Sequence, residues 1–108
     1  MRKIDLTDYT VEFNLPNEEN KNLPYSVRKS LVEGLYHPDL RLGYKDLMEN
    51  DRLSQKIKNF QGDVILLEET EWERLKGVFE TIRGFTKQDV EFIRRVMNAE
   101  QVEVTEKN

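Results

Sequence analysis

Residues 70–97, TEWERLKGVFETIRGFTKQDVEFIRRVM, carry two apolar stripes back to back. Trp72, Leu75, Val78, Phe79 and Ile82 recur at spacings of three and four, the period of one face of a helix. Gly84 interrupts the pattern, and a second stripe of Val90, Ile93, Val96 and Met97 follows. Thr70 with Glu73, and Thr86 with Asp89, have the capping-box spacing. In each pair the hydroxyl accepts from the third amide onward while the acid reaches back to the first. The stretch therefore predicts two short capped helices joined by a tight turn.

Working outward, Val64–Leu67 is a short apolar run between turn signals and predicts a strand. Before it, Tyr44, Leu47, Met48, Leu53, Ile57 and Phe60 outline a helix from about 44 to 60, imperfect near Asp51 and stopped at Gly62. Ser26 is a candidate N-cap for a helix presenting Val27, Leu31 and Leu35, which Pro38 ends at or before His37. At the start, Ile4 and Leu6 alternate with polar residues, then Tyr9, Val11, Phe13 and Leu15 alternate in the opposite phase. Period two means a strand with one buried face, and the phase change near Thr7 predicts a bulge or break. Residues 16–22 are polar and predict a loop or hairpin tip, and residues 23–25 an extended segment. Val102 and Val104 predict a last strand, and residues 106–108 a frayed tail. The expected fold is a single small α+β domain over residues 1–108, with about four helices and a short sheet in the order β-α-α-β-α-α-β.

A chain of 108 residues fits one core and leaves no room for two. Charged residues make up 35% and apolar residues 37%, so the core is expected to be thin, but clear amphipathic periods argue against disorder. The net charge of −4 disfavours non-specific nucleic-acid binding, which needs a positive field. With no cysteine there is no disulfide or thiolate chemistry. No run is apolar enough to span a bilayer, and Asp5 and Asp8 interrupt any signal-peptide pattern behind Arg2 and Lys3. A cytoplasmic or particle-associated location is expected.

Chemistry-bearing residues are sparse. A single histidine, His37, and no cysteine cannot close a zinc site, and a cation at a helix C-terminus is a sufficient reading of it. The five glycines are isolated, so no phosphate-cradling loop exists. Gly34 and Gly77 fall inside predicted helices, which marks either a close helix crossing or a tolerated cost. Glu68, Glu69, Glu71 and Glu73 form an acidic patch; their place at a helix start explains them by the dipole, without a metal. Trp72 is a core anchor or, if half exposed, an interface anchor. Lys87, Gln88, Arg94 and Arg95 lie on the second helix of a pair whose short turn fits a helix-turn-helix, whereas Asp89 and Glu91 oppose that reading. No catalytic pair, cofactor site or metal site stands out, and no enzyme is expected.

In pattern, the opening MRKIDLTDYTVEF, the middle PYSVRKSLVEGLYHPDL and the late LLEETEWERLKGVFETIRGFTKQDVEFIRRVMNAEQVEV resemble small accessory proteins of tailed phages and prophages. The resemblance carries no functional residue. It implies a viral accessory or assembly factor, host-cytoplasmic or virion-associated, working by protein–protein interaction or self-association. Docking would use the late helix pair or an open edge of the long first strand. Two alternatives are a helix-turn-helix regulator contacting DNA through Lys87, Arg94 and Arg95, and an inhibitor of a host defence protein presenting the acidic patch.

Overall fold

Asp5 breaks the opening strand in two. In the computed structural model, which describes residues 1–13 and 21–103, β1 spans Arg2–Asp5 and β2 spans Tyr9–Phe13. Between them Asp5 Oδ1 accepts from the Thr7 amide at 2.9 Å and the Thr7 hydroxyl at 2.6 Å. This side-chain turn ends β1 and lets the chain leave one sheet for another. β1 becomes the middle of a three-stranded antiparallel sheet, between β4 (Val64–Leu67) and β5 (Glu100–Gln101). Its register sets Ile4 opposite Ile65 and Lys3 opposite both Leu66 and Glu100. β2 pairs instead with β3 (Lys21–Tyr25) in a two-stranded ribbon.

Three expectations change here. The opening of the first strand is paired on both sides, so β1 offers no open edge; β2, the second half, is the edge strand. Lys21 and Asn22 belong to β3 rather than to the tip, because pairing continues to Phe13 and Lys21. The remainder of the predicted loop, with Leu15, lies outside the described residues. The last strand sits at Glu100–Gln101, earlier than Val102 and Val104, because its partner β1 holds it by the pairing of Arg2 with Gln101. The ladder continues through the Val102 amide to the Met1 carbonyl at 2.7 Å, while Val104 and the predicted frayed end lie outside the described residues.

Four helices complete the α+β fold. α1 (Val27–Gly34) starts at Ser26, whose hydroxyl accepts from the Lys29 amide at 3.2 Å. A 3-10 turn at Pro38–Leu40 follows, and His37 Nδ1 accepts from the Asp39 amide at 3.1 Å. His37 therefore serves as the N-cap of this turn. α2 spans Tyr44–Asn59, and its buried face is Asn50, Leu53, Ser54 and Ile57. Tyr44, Leu47 and Met48, expected in the apolar stripe, are exposed because the first turns of α2 run beyond the surface that its second half packs against. The break near Asp51 is where a polar residue enters the core: Asn50 Nδ2 donates to the Leu35 carbonyl at 2.9 Å, and Arg74 Nη1 donates to Asn50 Oδ1 at 3.0 Å.

α3 (Glu69–Thr81) begins earlier than the Thr70–Glu73 box predicts. β4 ends at Leu67, so Glu68 becomes the N-cap and Glu71 the reciprocal acid, its Oε1 accepting from the Glu68 amide at 2.9 Å. The box at Thr86 and Asp89 forms as predicted, with Asp89 Oδ2 2.8 Å from the Thr86 amide. It encloses a 3-10 turn at Lys87–Asp89 that leads into α4 (Val90–Met97). Gly84 makes the preceding bend in the left-handed region, φ 97°.

One contiguous cluster joins Ile4, Leu31, Leu35, Ile57, Ile65, Leu67, Trp72, Leu75, Phe79, Phe92 and Val96. Gly34 is a crossing point: a Cβ there would lie 2.5 Å from the tip of the Phe79 ring. Gly77 meets nothing within 4 Å, so no internal packing explains it. No helix among the described residues is long and apolar enough to cross a membrane.

Candidate functional site: the corner of the ribbon and the α3–α4 turn

The ribbon is held to the start of α4 by two stacked tyrosines. Tyr9 and Tyr25 are opposite each other in the register, so their side chains share one face. Their rings stack with centroids 4.7 Å apart. The Tyr9 hydroxyl donates to the Gln88 carbonyl at 2.7 Å and accepts from the Phe92 amide at 3.1 Å. The Tyr25 hydroxyl donates to Asp89 Oδ1 at 2.6 Å, and its ring tilts against Phe92 at 5.8 Å. Arg95 ties the other end: it donates to the Thr7 carbonyl at 2.6 Å and the Asp5 carbonyl at 3.3 Å, and its guanidinium lies over the Tyr9 ring at 5.2 Å. Thr7 hydrogen bonds hold the Asp5 carboxylate below its ordinary pKa.

Burial first, and the Asp89 carboxylate second, push the Tyr25 phenol well above its ordinary value. Burial likewise raises Tyr9. A raised phenol pKa means the folded state prefers the neutral ring. The resulting stability is fully present below the unfolded value of about 10 and is lost as pH rises towards the folded value. Urea denaturation between neutral pH and about pH 11.5 is therefore expected to show stability falling from about pH 10 upwards. Tyr25→Phe should flatten that alkaline slope; an unchanged slope would show that Tyr25 titrates alike in both states.

Three concavities meet where the turn faces the ribbon. A groove of about 350 Å³ has Tyr9, Thr10, Val11 and Glu12 of β2 along one side and Lys87, Gln88, Val90, Glu91 and Arg94 along the other. A mostly apolar hollow of about 450 Å³ adjoins it at Lys87 and Val90 and is lined by Phe85, Thr86, Asp89 and Ile93. A third, of about 220 Å³, reaches from Phe85 past Phe79 and Phe92 to Tyr25, His37 and Arg83. Val90 is 51% exposed and Phe85 40%, both beside the bend at Gly84.

The sequence-predicted candidates divide on this framework. Lys87, Gln88 and Arg94 line the groove. Arg94 pairs with Glu91 at 3.1 Å, and the Gln88 side chain donates to the Glu12 carbonyl at 3.4 Å. Arg95 also pairs with Glu91, at 3.3 Å, and is turned inward with a side chain only 16% exposed. Trp72 is a core residue: it is 7% exposed, and its indole donates to the Val96 carbonyl at 2.8 Å.

The acidic patch separates. Glu69 takes a forked bond from Arg2, with contacts of 3.0 Å to both oxygens, which lowers the Glu69 pKa. Glu71 pairs with Lys56 at 2.7 Å, and Glu68 and Glu73 stay exposed. A separate hollow of about 390 Å³ beside Glu68 and Glu71 also contains Arg52 and Arg74, so its charges are mixed. Among the described residues no group of three or more His, Cys, Asp and Glu side chains converges as a metal site. Sequence reasoning passed over Tyr9, Tyr25, Thr10, Glu12 and Phe85. Phe85 carried a local signal, an aromatic residue beside a turn glycine, whereas the tyrosines only acquire meaning once the ribbon is paired. No family model, no curated protein and no solved structure matches this chain.

Proposed function

We propose that the protein is a non-enzymatic protein-binding module that docks through the corner of the β2–β3 ribbon and the Gly84–Val90 bend. The observation that carries this reading is the exposed pair Phe85 and Val90 at the junction of adjoining hollows. Apolar side chains set in concave surface beside a rigid turn are what a partner's side chains can desolvate. The groove's acids oppose a DNA partner: Glu12 and Glu91 line it, and Glu91 already engages both arginines. An accessory or assembly role of phage type is the setting that the sequence pattern favours.

The test compares immobilised wild type with a Phe85→Glu/Val90→Glu double variant in lysate of the cells that make the protein. Both positions are exposed, so circular dichroism should be unchanged. A specifically retained protein should be lost by the double variant, with affinity reduced about 30-fold or more for a central anchor pair. It should be kept by Lys58→Glu, an exposed change on α2. Equal retention by the double variant would remove the corner from consideration. Duplex DNA at low ionic strength is expected not to shift.

A further inference from the structure

The register of the ribbon decides which backbone groups of β2 point outward. Thr10 lies opposite Pro24. Proline has no N–H and is tolerated in a strand only where its nitrogen faces away from the partner strand. Directly opposed residues in an antiparallel pair alternate between exchanging both hydrogen bonds and exchanging none. Thr10–Pro24 is therefore a non-bonded pair, as is Glu12–Asn22 two residues on, and Tyr9–Tyr25 and Val11–Leu23 are the bonded ones. The N–H and C=O groups of Thr10 and Glu12 must then project from the outer edge of β2. The Gln88 side chain, donating to the Glu12 carbonyl at 3.4 Å, meets one of them where this alternation places it.

The two edges of the ribbon are thus unequal. The outer edge of β3 is blunted by Pro24, a common protection against strand addition. The outer edge of β2 faces the groove, and among the described residues its only partner is the long bond from Gln88. We infer that the partner contributes an extended peptide segment that adds to β2 as a third strand, between β2 and the first turn of α4. The inference rests on the corner being the docking surface and specifies the chemistry of its occupant. Main-chain groups of the segment pair with Thr10 and Glu12, displacing Gln88 from the Glu12 carbonyl. Strand addition of this kind takes affinity from backbone bonds and selectivity from alternate side chains. Val11 and Val90 line the groove, so the residue set opposite Val11 is small or β-branched.

The probe is a phage-displayed library of random heptapeptides, with the best binder made synthetically. Thr10→Pro removes one outward donor without touching a ribbon bond, and protected Tyr9 and Val11 amides in hydrogen exchange verify the ribbon. This variant should bind the peptide at least tenfold more weakly, whereas Gln88→Ala should bind it as well or better. N-methylating the peptide at every other residue should abolish binding in one phase and spare it in the other, a readout that holds even if Thr10→Pro disturbs the ribbon. Binding by an intact Thr10→Pro variant within twofold of wild type, indifference to the phase of methylation, or no recovered peptide would each overturn strand addition. If the Phe85→Glu/Val90→Glu variant nevertheless loses its protein partner, the corner reading stands alone; if that variant keeps its partner, the corner reading itself fails.

Discussion

Replacing Trp72 with alanine is expected to lower stability by about 3–5 kcal/mol in urea denaturation. Domains of this kind hold only about 5–15 kcal/mol in total, so much of the population should unfold in mild denaturant. Two contributions combine. The first is burial, since the ring lies in the cluster with Leu75 and Val96. The second is a specific bond. Val96 is in the last turn of α4, where carbonyls have no partner within the helix, and the Trp72 indole supplies one at 2.8 Å. The ring also seats the Arg2 guanidinium at 3.9 Å, which donates onward to the Ala99 carbonyl at 3.0 Å and to Glu69. One side chain therefore joins α3, α4 and β1. Trp72→Phe separates the contributions: it keeps most of the apolar area and leaves the Val96 carbonyl unpaired, for about 1–2 kcal/mol. Equal losses for the two variants would mean that the indole bond, not burial, dominates; a loss below about 1 kcal/mol for alanine would contradict the packing described.

What was legible in the chain was local. The stripe of α3 follows a period of 3.6, and the bend after it needs only Gly84. The stripe of α4 was misplaced at its start, because the turn at Lys87–Asp89 rotates Val90 outward (51% exposed) and brings Phe92 into the core beside Val96. The phase change at Thr7 marked the break between β1 and β2, because a shift of one residue moves every side chain to the other face. Sheet membership was not legible. β1 pairs with strands some sixty and a hundred residues away, and no period inside Arg2–Asp5 distinguishes a central strand from an edge. The same limit hid Asn50, which reads as a flaw in an apolar stripe until Leu35 and Arg74 are placed around it.

The candidate surface was half legible for the same reason. Lys87, Gln88 and Arg94 belong to it by their position on the late helix pair. Trp72 and Arg95 share the residue types of binding surfaces but are drawn inward, one by the Val96 carbonyl and the other by the Thr7 carbonyl. A side chain's chemistry says what it can bind, and the fold decides whether that capacity is already used internally. The asymmetry of the ribbon is the converse case. Pro24 is visible in the sequence, but its consequence for Thr10 appears only with the register that sets them opposite.

Arg28→Ala should cost about 2–4 kcal/mol, less than a large core deletion but far above a typical surface change. Arg28 is in the first turn of α1, where its own helix dipole disfavours a cation. It is held there by the far end of α2. Its Nη1 donates to the Ile57 carbonyl at 2.7 Å and the Phe60 carbonyl at 2.5 Å, and its Nη2 donates to the Gly62 carbonyl at 2.9 Å. These carbonyls lie at and just past the C-terminus of α2, so the guanidinium both caps the helix and meets the negative end of its dipole. It also fixes the chain just before β4, where the Asp63 carbonyl accepts from the Leu6 amide at 2.6 Å. Hydrogen exchange at Leu6 should therefore quicken in the variant. Arg28→Lys should recover less than half of the loss, because an ammonium has no planar fork to span three carbonyls. The partners are dipoles rather than an acid, which separates this site from the surface ion pairs. The loss should stay nearly constant between low salt and about 0.5 M salt, whereas the worth of an exposed pair such as Lys29–Glu33 is screened away. A penalty that shrinks with salt would mean that Arg28 acts by long-range attraction to the acidic surface, and that the three carbonyls are satisfied as well by water.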